Sequence, residues 1–83
     1  MTLDELAIGQ TAEIVDVQGE DGIAIRLLEM GLTEGEEITL VGIAPLGDPK
    51  EYLIRSYRLS LRQAEAKRVT IIARQGTERA ADL

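Results

Sequence analysis

The sequence contains no cysteine, no histidine, no tryptophan and no phenylalanine among its 83 residues. Without cysteine, the chain can form neither a disulfide nor a thiolate metal site. Without histidine, it lacks the commonest protein metal ligand and the commonest general base. These absences leave serine, threonine, lysine and the carboxylates as the groups from which any catalytic site would have to be built.

Aromatic residues are also scarce, since Tyr52 and Tyr57 are the only two. The hydrophobic fraction is nevertheless 45%, which is too high for a disordered chain, so we predict one small domain with an aliphatic core. The longest near-apolar run, residues 40–46, is far shorter than the roughly 20 residues of a membrane helix. The first residues are acidic, unlike a signal peptide. We therefore expect a cytoplasmic protein without direct membrane insertion.

Charge is distributed unevenly around a net value of −6. Residues 1–49 contain eleven acidic side chains and Arg26 as their only base. The overall acidity disfavours binding to nucleic acid, so we expect no nucleic-acid partner. The second half of the chain nevertheless contains a stripe of basic residues. We expect these bases to pair with the acids of the N-terminal half, and docking to an acidic protein surface or to RNA is the alternative. The stripe consists of Arg55, Arg58, Arg62, Lys67 and Arg68.

The best-defined local pattern predicts an amphipathic helix over residues 21–30. Ile23, Leu27 and Met30 recur at helical spacing, and Asp21 is placed to cap the N-terminus. Gly31 follows at the position that favours a left-handed backbone, and Leu32 would then contact Leu27 as in a Schellman ending.

β-branched and alternating segments predict five short strands, at residues 11–18, 36–44, 51–56, 57–61 and 67–74. The adjacent Ile14 and Val15 break the alternation and predict a bulge. A short N-terminal turn is expected to be capped by Thr2 and anchored by Leu3, Leu6 and Ile8, and a second turn at 62–66 to be capped by Ser60. Two prolines make residues 45–49 a loop.

These elements predict a mainly β fold with short helices. A chain this short must close its sheet to avoid bare edges, so we predict a small, partly open SH3-like barrel of about five strands, with one helix inserted after the first strand. The domain would span residues 1–74, and residues 75–83 would form a flexible tail. Weak self-association through an open edge remains an alternative to a monomer.

No motif indicates catalysis, so we predict that the protein is not an enzyme. Ser56 and Ser60 are the only serines, and neither lies in a Gly-x-Ser-x-Gly turn. No phosphate-binding loop or organic cofactor site is present in the pattern. An all-oxygen site for a divalent metal such as ferrous iron could be built from the acidic half, although no spacing identifies its ligands.

Three segments together resemble the FeoA family. The sequence from Leu27 to Gly35 is similar to the family's Leu-x-x-Met-Gly-Leu-x-x-Gly motif, and residues 44–49 match its Ala-Pro-Leu-Gly-Asp-Pro loop. The segment from Tyr57 to Arg62, followed by Glu65 and Ala66, is similar to its Tyr-x-Leu-x-Leu-Arg-x-x-Glu-Ala ending. Ser56 is a departure, because the family often has glycine there, which puts a positive φ at this position in question.

The resemblance implies an SH3-like barrel that acts in bacterial ferrous iron uptake. It implies a cytosolic, non-enzymatic accessory that binds and modulates FeoB, a membrane permease with a GTPase domain, and that is recruited by it to the inner face of the membrane. The alternative is a domain that binds or senses transition metals through surface carboxylates.

Roles for the motif residues follow from their types and positions. Residues with a structural role would be Leu27, Met30, Gly31, Leu32, Gly35, Tyr57, Leu59, Ser60 and Leu61. Residues for partner binding would be Leu28, Leu46, Gly47, Asp48, Pro49, Arg58 and Arg62, because function concentrates on exposed loops held by a stiff scaffold. Val41 and Ile43 would either extend this apolar surface or be covered by the inserted helix.

Overall fold

Five short strands and two short helices account for most of the described chain, residues 1–74 of a computed structural model. A single 3-10 turn, Leu3–Glu5, precedes them. The elements in chain order are β1 (Thr11–Val17), α1 (Gly22–Glu29), β2 (Glu37–Ile43), β3 (Lys50–Ile54), β4 (Tyr57–Leu61), α2 (Gln63–Ala66) and β5 (Val69–Ala73). The predicted flexible tail, residues 75–83, lies outside the described residues. Within residues 1–74, no helix is long and apolar enough to cross a membrane.

The strands form one antiparallel sheet in the order β4-β3-β2-β1-β5. The predicted bulge in β1 is confirmed, since the register with β5 shifts between Ile14 and Asp16. A second shift, between Leu40 and Gly42 of β2, was not predicted. Bulges bend a strand and increase its twist, which curls the sheet around its apolar face. The mainly β architecture with a helix after the first strand is confirmed.

The core is aliphatic apart from Tyr52, as the composition predicted. Alternation along β2 turns Ile38 and Leu40 inward, and β4 contributes Leu59 and Leu61. The remaining large buried side chains are Leu3, Leu6, Ile14, Leu27, Leu32, Ile54, Val69 and Ile71. Helix α1 therefore reaches the same core as the strands through Leu27.

Helix α1 ends as predicted, in a Schellman motif. The Leu32 N–H donates to the Leu27 carbonyl at 3.2 Å, the Gly31 N–H donates to the Leu28 carbonyl at 3.0 Å, and Gly31 has φ +101°. Asp21 caps the other end by accepting a hydrogen bond from the Ala24 N–H. The predicted buried face is wrong in one position, however. Because the small Ala24 packs inward together with Leu27, Ile23 is turned out and left exposed.

Two other local predictions are also corrected. Ile8 is exposed, so the N-terminal turn is anchored by Leu3 and Leu6 alone. Ser60 does not cap α2, because the ladder between β3 and β4 continues to Leu61 and holds Ser60 within the strand. The cap residue is Arg62, whose N–H donates to Glu65 Oε1 at 2.8 Å.

Candidate partner-binding surface

The loop of residues 44–49, between β2 and β3, carries the most exposed large apolar side chain of the described residues. Leu46 at its tip is 97% exposed, and Ile43 at its base is half-exposed. The loop is closed by its own backbone, since Gly47 N–H donates to the Ala44 carbonyl at 2.8 Å and Ala44 N–H donates to the Pro49 carbonyl at 3.1 Å. A leucine exposed on a loop with a closed backbone is a candidate for partner contact, because function concentrates on loops held by a rigid scaffold.

Asp48 fastens this loop to α2. Its Oδ1 accepts a hydrogen bond from the Gln63 N–H at 2.9 Å, which satisfies a free donor at the helix N-terminus. Its Oδ2 lies 4.0 Å from the Arg62 guanidinium. The structure thus gives Asp48 an intramolecular role, which is to position the loop that presents Leu46.

Replacing Asp48 should test this positioning role. We expect Asp48→Ala to lower the free energy of unfolding by about 1 kcal/mol, the usual effect of losing a helix cap. Asp48→Asn retains an oxygen at the Oδ1 position, so it should lose less than half as much. Urea denaturation of both variants measures the difference, and equal losses would show that the bond to Gln63 contributes nothing.

The bases of the predicted stripe differ in how closely they pair with carboxylates in the folded chain. Arg68 makes two hydrogen bonds to Asp21, at 2.9 and 2.8 Å, and Arg55 makes two to Glu36. Arg68 holds the pKa of the Asp21 carboxyl well below its usual range. Hydrogen bonds from Arg55 likewise lower the pKa of the Glu36 carboxyl. Intramolecular pairing is therefore confirmed for these two bases.

Arg58 and Arg62 are held much more loosely. Their side chains are 65% and 70% exposed, and the nearest carboxylate oxygens, on Glu51 and Asp48, lie 3.8 and 4.0 Å away. Ser60, which lies two residues from each of these arginines, lines a shallow groove that crosses β2, β3 and β4 beside the loop. The groove is lined by Gly42, Ile43, Ala44, Pro49, Glu51 and Ser60.

Leu28 lies on a different element from this loop. It is half-exposed on α1, together with Ile25 three residues earlier, which the sequence pattern did not single out. The end of α1 is tied to β4, because the Tyr57 hydroxyl donates to the Met30 carbonyl. The fold therefore brings together Leu46, Asp48 and Arg62, and places Leu28 on a separate helix.

The carboxylates of residues 1–74 do not form a recognisable metal centre. No three acidic side chains in this part of the chain lie close enough together to hold one ion. Asp21, Glu36 and Asp48 are instead engaged with arginines or with backbone N–H groups.

Comparison with known proteins matches this chain to one family. The model of the FeoA domain matches residues 1–73. A fusion of Fe(2+) transport protein A with the Fe(2+) transporter FeoB from Porphyromonas gingivalis is 44% identical over 71 residues, which is 86% of this chain and 8% of the fusion. The chain thus spans a small part of that relative.

Two solved structures extend the match to the fold. FeoA of Stenotrophomonas maltophilia, a prokaryotic SH3 domain protein crystallised with zinc, is 39% identical, with a TM-score of 0.79 over 87% of this chain and 89% of that one. FeoA of Chlorobium tepidum is 36% identical, with a TM-score of 0.83 over 94% and 74%. The predicted SH3-like fold is confirmed, and the chain belongs to the FeoA domain family.

Proposed function

We propose that this protein is a non-enzymatic accessory of bacterial ferrous iron uptake, which binds the FeoB permease and modulates it. The observation that carries the proposal is the Porphyromonas gingivalis fusion, in which a FeoA domain is joined to FeoB in one chain. Fusion makes docking intramolecular, with an effective concentration in the millimolar range for a short flexible linker. A FeoA domain that is not joined to FeoB would need a surface with enough affinity to replace that link.

The loop around Leu46 is the surface we assign to this contact. Leu46 projects from a backbone closed by the Gly47–Ala44 hydrogen bond and fastened through Asp48, so little conformational entropy is lost when it is buried. Burial of one exposed leucine is worth about 1.5–3 kcal/mol, which makes it a suitable anchor for an interface.

The direct experiment is co-purification of the tagged protein with full-length FeoB from membranes, with and without guanine nucleotide. Specific capture is expected, and dependence on the nucleotide would assign the contact to the GTPase domain. Absence of capture in both conditions would contradict the proposal.

Charge substitution on the loop should separate the surface from the fold. We expect Leu46→Arg to reduce capture at least tenfold while circular dichroism and the unfolding midpoint remain those of the wild type, since Leu46 makes no contact with the core. Leu28→Arg tests whether α1 contributes. Ile72→Arg is the matched control. Ile72 is 64% exposed on the edge strand β5, which β1 separates from the strands that carry the Leu46 loop. Unchanged capture by both leucine variants would show that this surface does not contact FeoB.

Metal binding is the alternative function, and a specific observation favours testing it, since the Stenotrophomonas maltophilia relative was crystallised with zinc. Calorimetric titration with ferrous, manganous and zinc ions separates the two functions. Dissociation constants weaker than about 1 mM, or about 4 kcal/mol, would exclude a role for direct metal binding.

A further inference from the structure

The two edge strands of the sheet, β5 and β4, differ in whether other backbone segments cover their outer edges. The outer edge of β5 is covered by the N-terminus, because the Ile71 N–H donates to the Met1 carbonyl at 2.8 Å and Thr2 forms a bridge with Thr70. The outer edge of β4 receives no such cover from the described residues. Within residues 1–74, the end of the sheet that carries β4 is therefore open to a further strand.

The backbone of β4 determines which groups this edge presents. Ile54 and Tyr57 pair across a two-residue turn, so they form the first hydrogen-bonded pair of the hairpin. Alternation then turns the peptide groups of Leu59 and Leu61 toward β3, and those of Arg58 and Ser60 away from it. Neither Arg58 nor Ser60 has a backbone hydrogen bond to another described residue outside this ladder. Two N–H and two C=O groups thus point outward in a row.

The side chains along this edge are basic and exposed. Arg58, Ser60 and Arg62 point to the outer face, and the extended backbone of Arg62 (φ −74°, ψ 157°) continues the line of the strand. At about 3.4 Å per residue, the two arginines stand roughly 14 Å apart on one face. In a protein of net charge −6, they are the arginines with the most distant carboxylate partners among the described ion pairs.

We propose that the edge of β4 binds an extended acidic segment of a partner protein, which adds as a sixth strand to the sheet. Strand addition supplies affinity through main-chain hydrogen bonds and specificity through alternate side chains. Acidic residues at alternate positions of the segment would face Arg58 and Arg62. This contact would stand whether or not FeoB is the partner, because it depends only on the edge and its charge.

A second copy of this chain is a poorer occupant of the same edge. Antiparallel pairing of two β4 strands about Ser60 would set the arginines of one copy against those of the other. Like charges directly opposite each other destabilise a strand pair. The charge of the edge therefore favours an acidic partner over self-association.

Amide hydrogen exchange and a peptide titration test the proposal on the full chain. In the free protein, the Arg58 and Ser60 amides should exchange quickly and the Leu59 amide slowly. An end-capped nine-residue peptide of alternating valine and glutamate should bind saturably and slow exchange at Arg58 and Ser60 at least tenfold. Protection of these two amides in the free protein, or absence of binding at 1 mM peptide, would overturn the proposal.

Two controls distinguish strand addition from simple charge attraction. The same peptide with N-methyl groups on alternate residues cannot form the ladder, so its binding should weaken at least tenfold, and undiminished binding would contradict strand addition. Arg58→Gln should weaken binding of the unmodified peptide at least threefold. Arg74→Gln removes the same charge next to β5, where Arg74 pairs with Glu13 and Glu37, and should bind as the wild type does. Concentration-dependent dimerisation that protects the same amides would assign the edge to a second copy instead.

Discussion

Replacing Gly31 with alanine is expected to lower the free energy of unfolding by about 2–4 kcal/mol. Gly31 has φ +101°, a conformation that costs a residue with a side chain about 1–3 kcal/mol. An added Cβ would also meet the Tyr57 hydroxyl, which is held there by its bond to the Met30 carbonyl. Moving that hydroxyl would cost a further hydrogen bond, about 1 kcal/mol.

Gly35 provides the matched control for this prediction. It has φ +90°, but a Cβ there would meet nothing within 4 Å, so Gly35→Ala should show the backbone cost alone. In a Tyr57→Phe background, Gly31→Ala should become as mild as Gly35→Ala, because the obstructing oxygen is gone. Urea denaturation of the single and double variants measures this coupling, and strictly additive losses would show that the Tyr57 contact does not matter.

Tyr52→Phe should change the response of the fold to alkaline pH. The Tyr52 side chain is fully buried (0% exposed), and its hydroxyl has no hydrogen-bond partner among the described residues. Burial, together with the carboxylates of Asp4 and Asp48, raises the pKa of Tyr52 to about 12. The unfolded chain ionises this tyrosine near pH 10. Because the folded chain holds this proton more tightly than the unfolded chain, the contribution of Tyr52 to the free energy of unfolding is complete below pH 10. It is lost as the pH rises from 10 to 12.

The expected loss for the wild type over this interval is on the order of 2 kcal/mol, and Tyr52→Phe should not show it. At neutral pH, the variant should be as stable as the wild type or up to about 1 kcal/mol more stable, because it removes a buried hydroxyl without a partner. Denaturation curves between pH 8 and 12 measure both effects. Tyr57→Phe, which retains Tyr52, should keep the alkaline loss, and a Tyr52→Phe curve parallel to the wild type would refute the assignment.

Local patterns predicted those features whose causes lie within a few residues. The Schellman ending required only Leu27, Gly31 and Leu32, and the bulge in β1 required only the adjacent Ile14 and Val15. The positive φ near Ser56 was harder to place: the structure puts it on Arg55, at +56°. A two-residue turn can place its left-handed residue first or second, and the choice depends on the twist of the strands that it joins.

Predictions failed where two local patterns competed or where a contact with a residue distant in the sequence determined the structure. Ser60 and Gln63 have the spacing of a helix cap, yet the pairing of Ser60 with Glu51 keeps it in β4. Ile23 fits the helical stripe, but the packing of α1 against the sheet selected Ala24. The bond from Gln63 to Asp48 also crosses 15 positions, which no local pattern covers, while the predicted contact of Asp48 with a partner stays a prediction.

The absence of thiolate and imidazole chemistry, the aliphatic core, the Schellman ending of α1 and the resemblance to the FeoA family all follow from the sequence alone. Each of these depends on residue type or on short spacing. The folded structure was needed to show that Asp48 fastens the loop of Leu46, that Arg55 and Arg68 are engaged while Arg58 and Arg62 are loosely held, and that β4 is the open edge among residues 1–74. These features depend on the order of the strands, which brings together residues that are far apart in the chain.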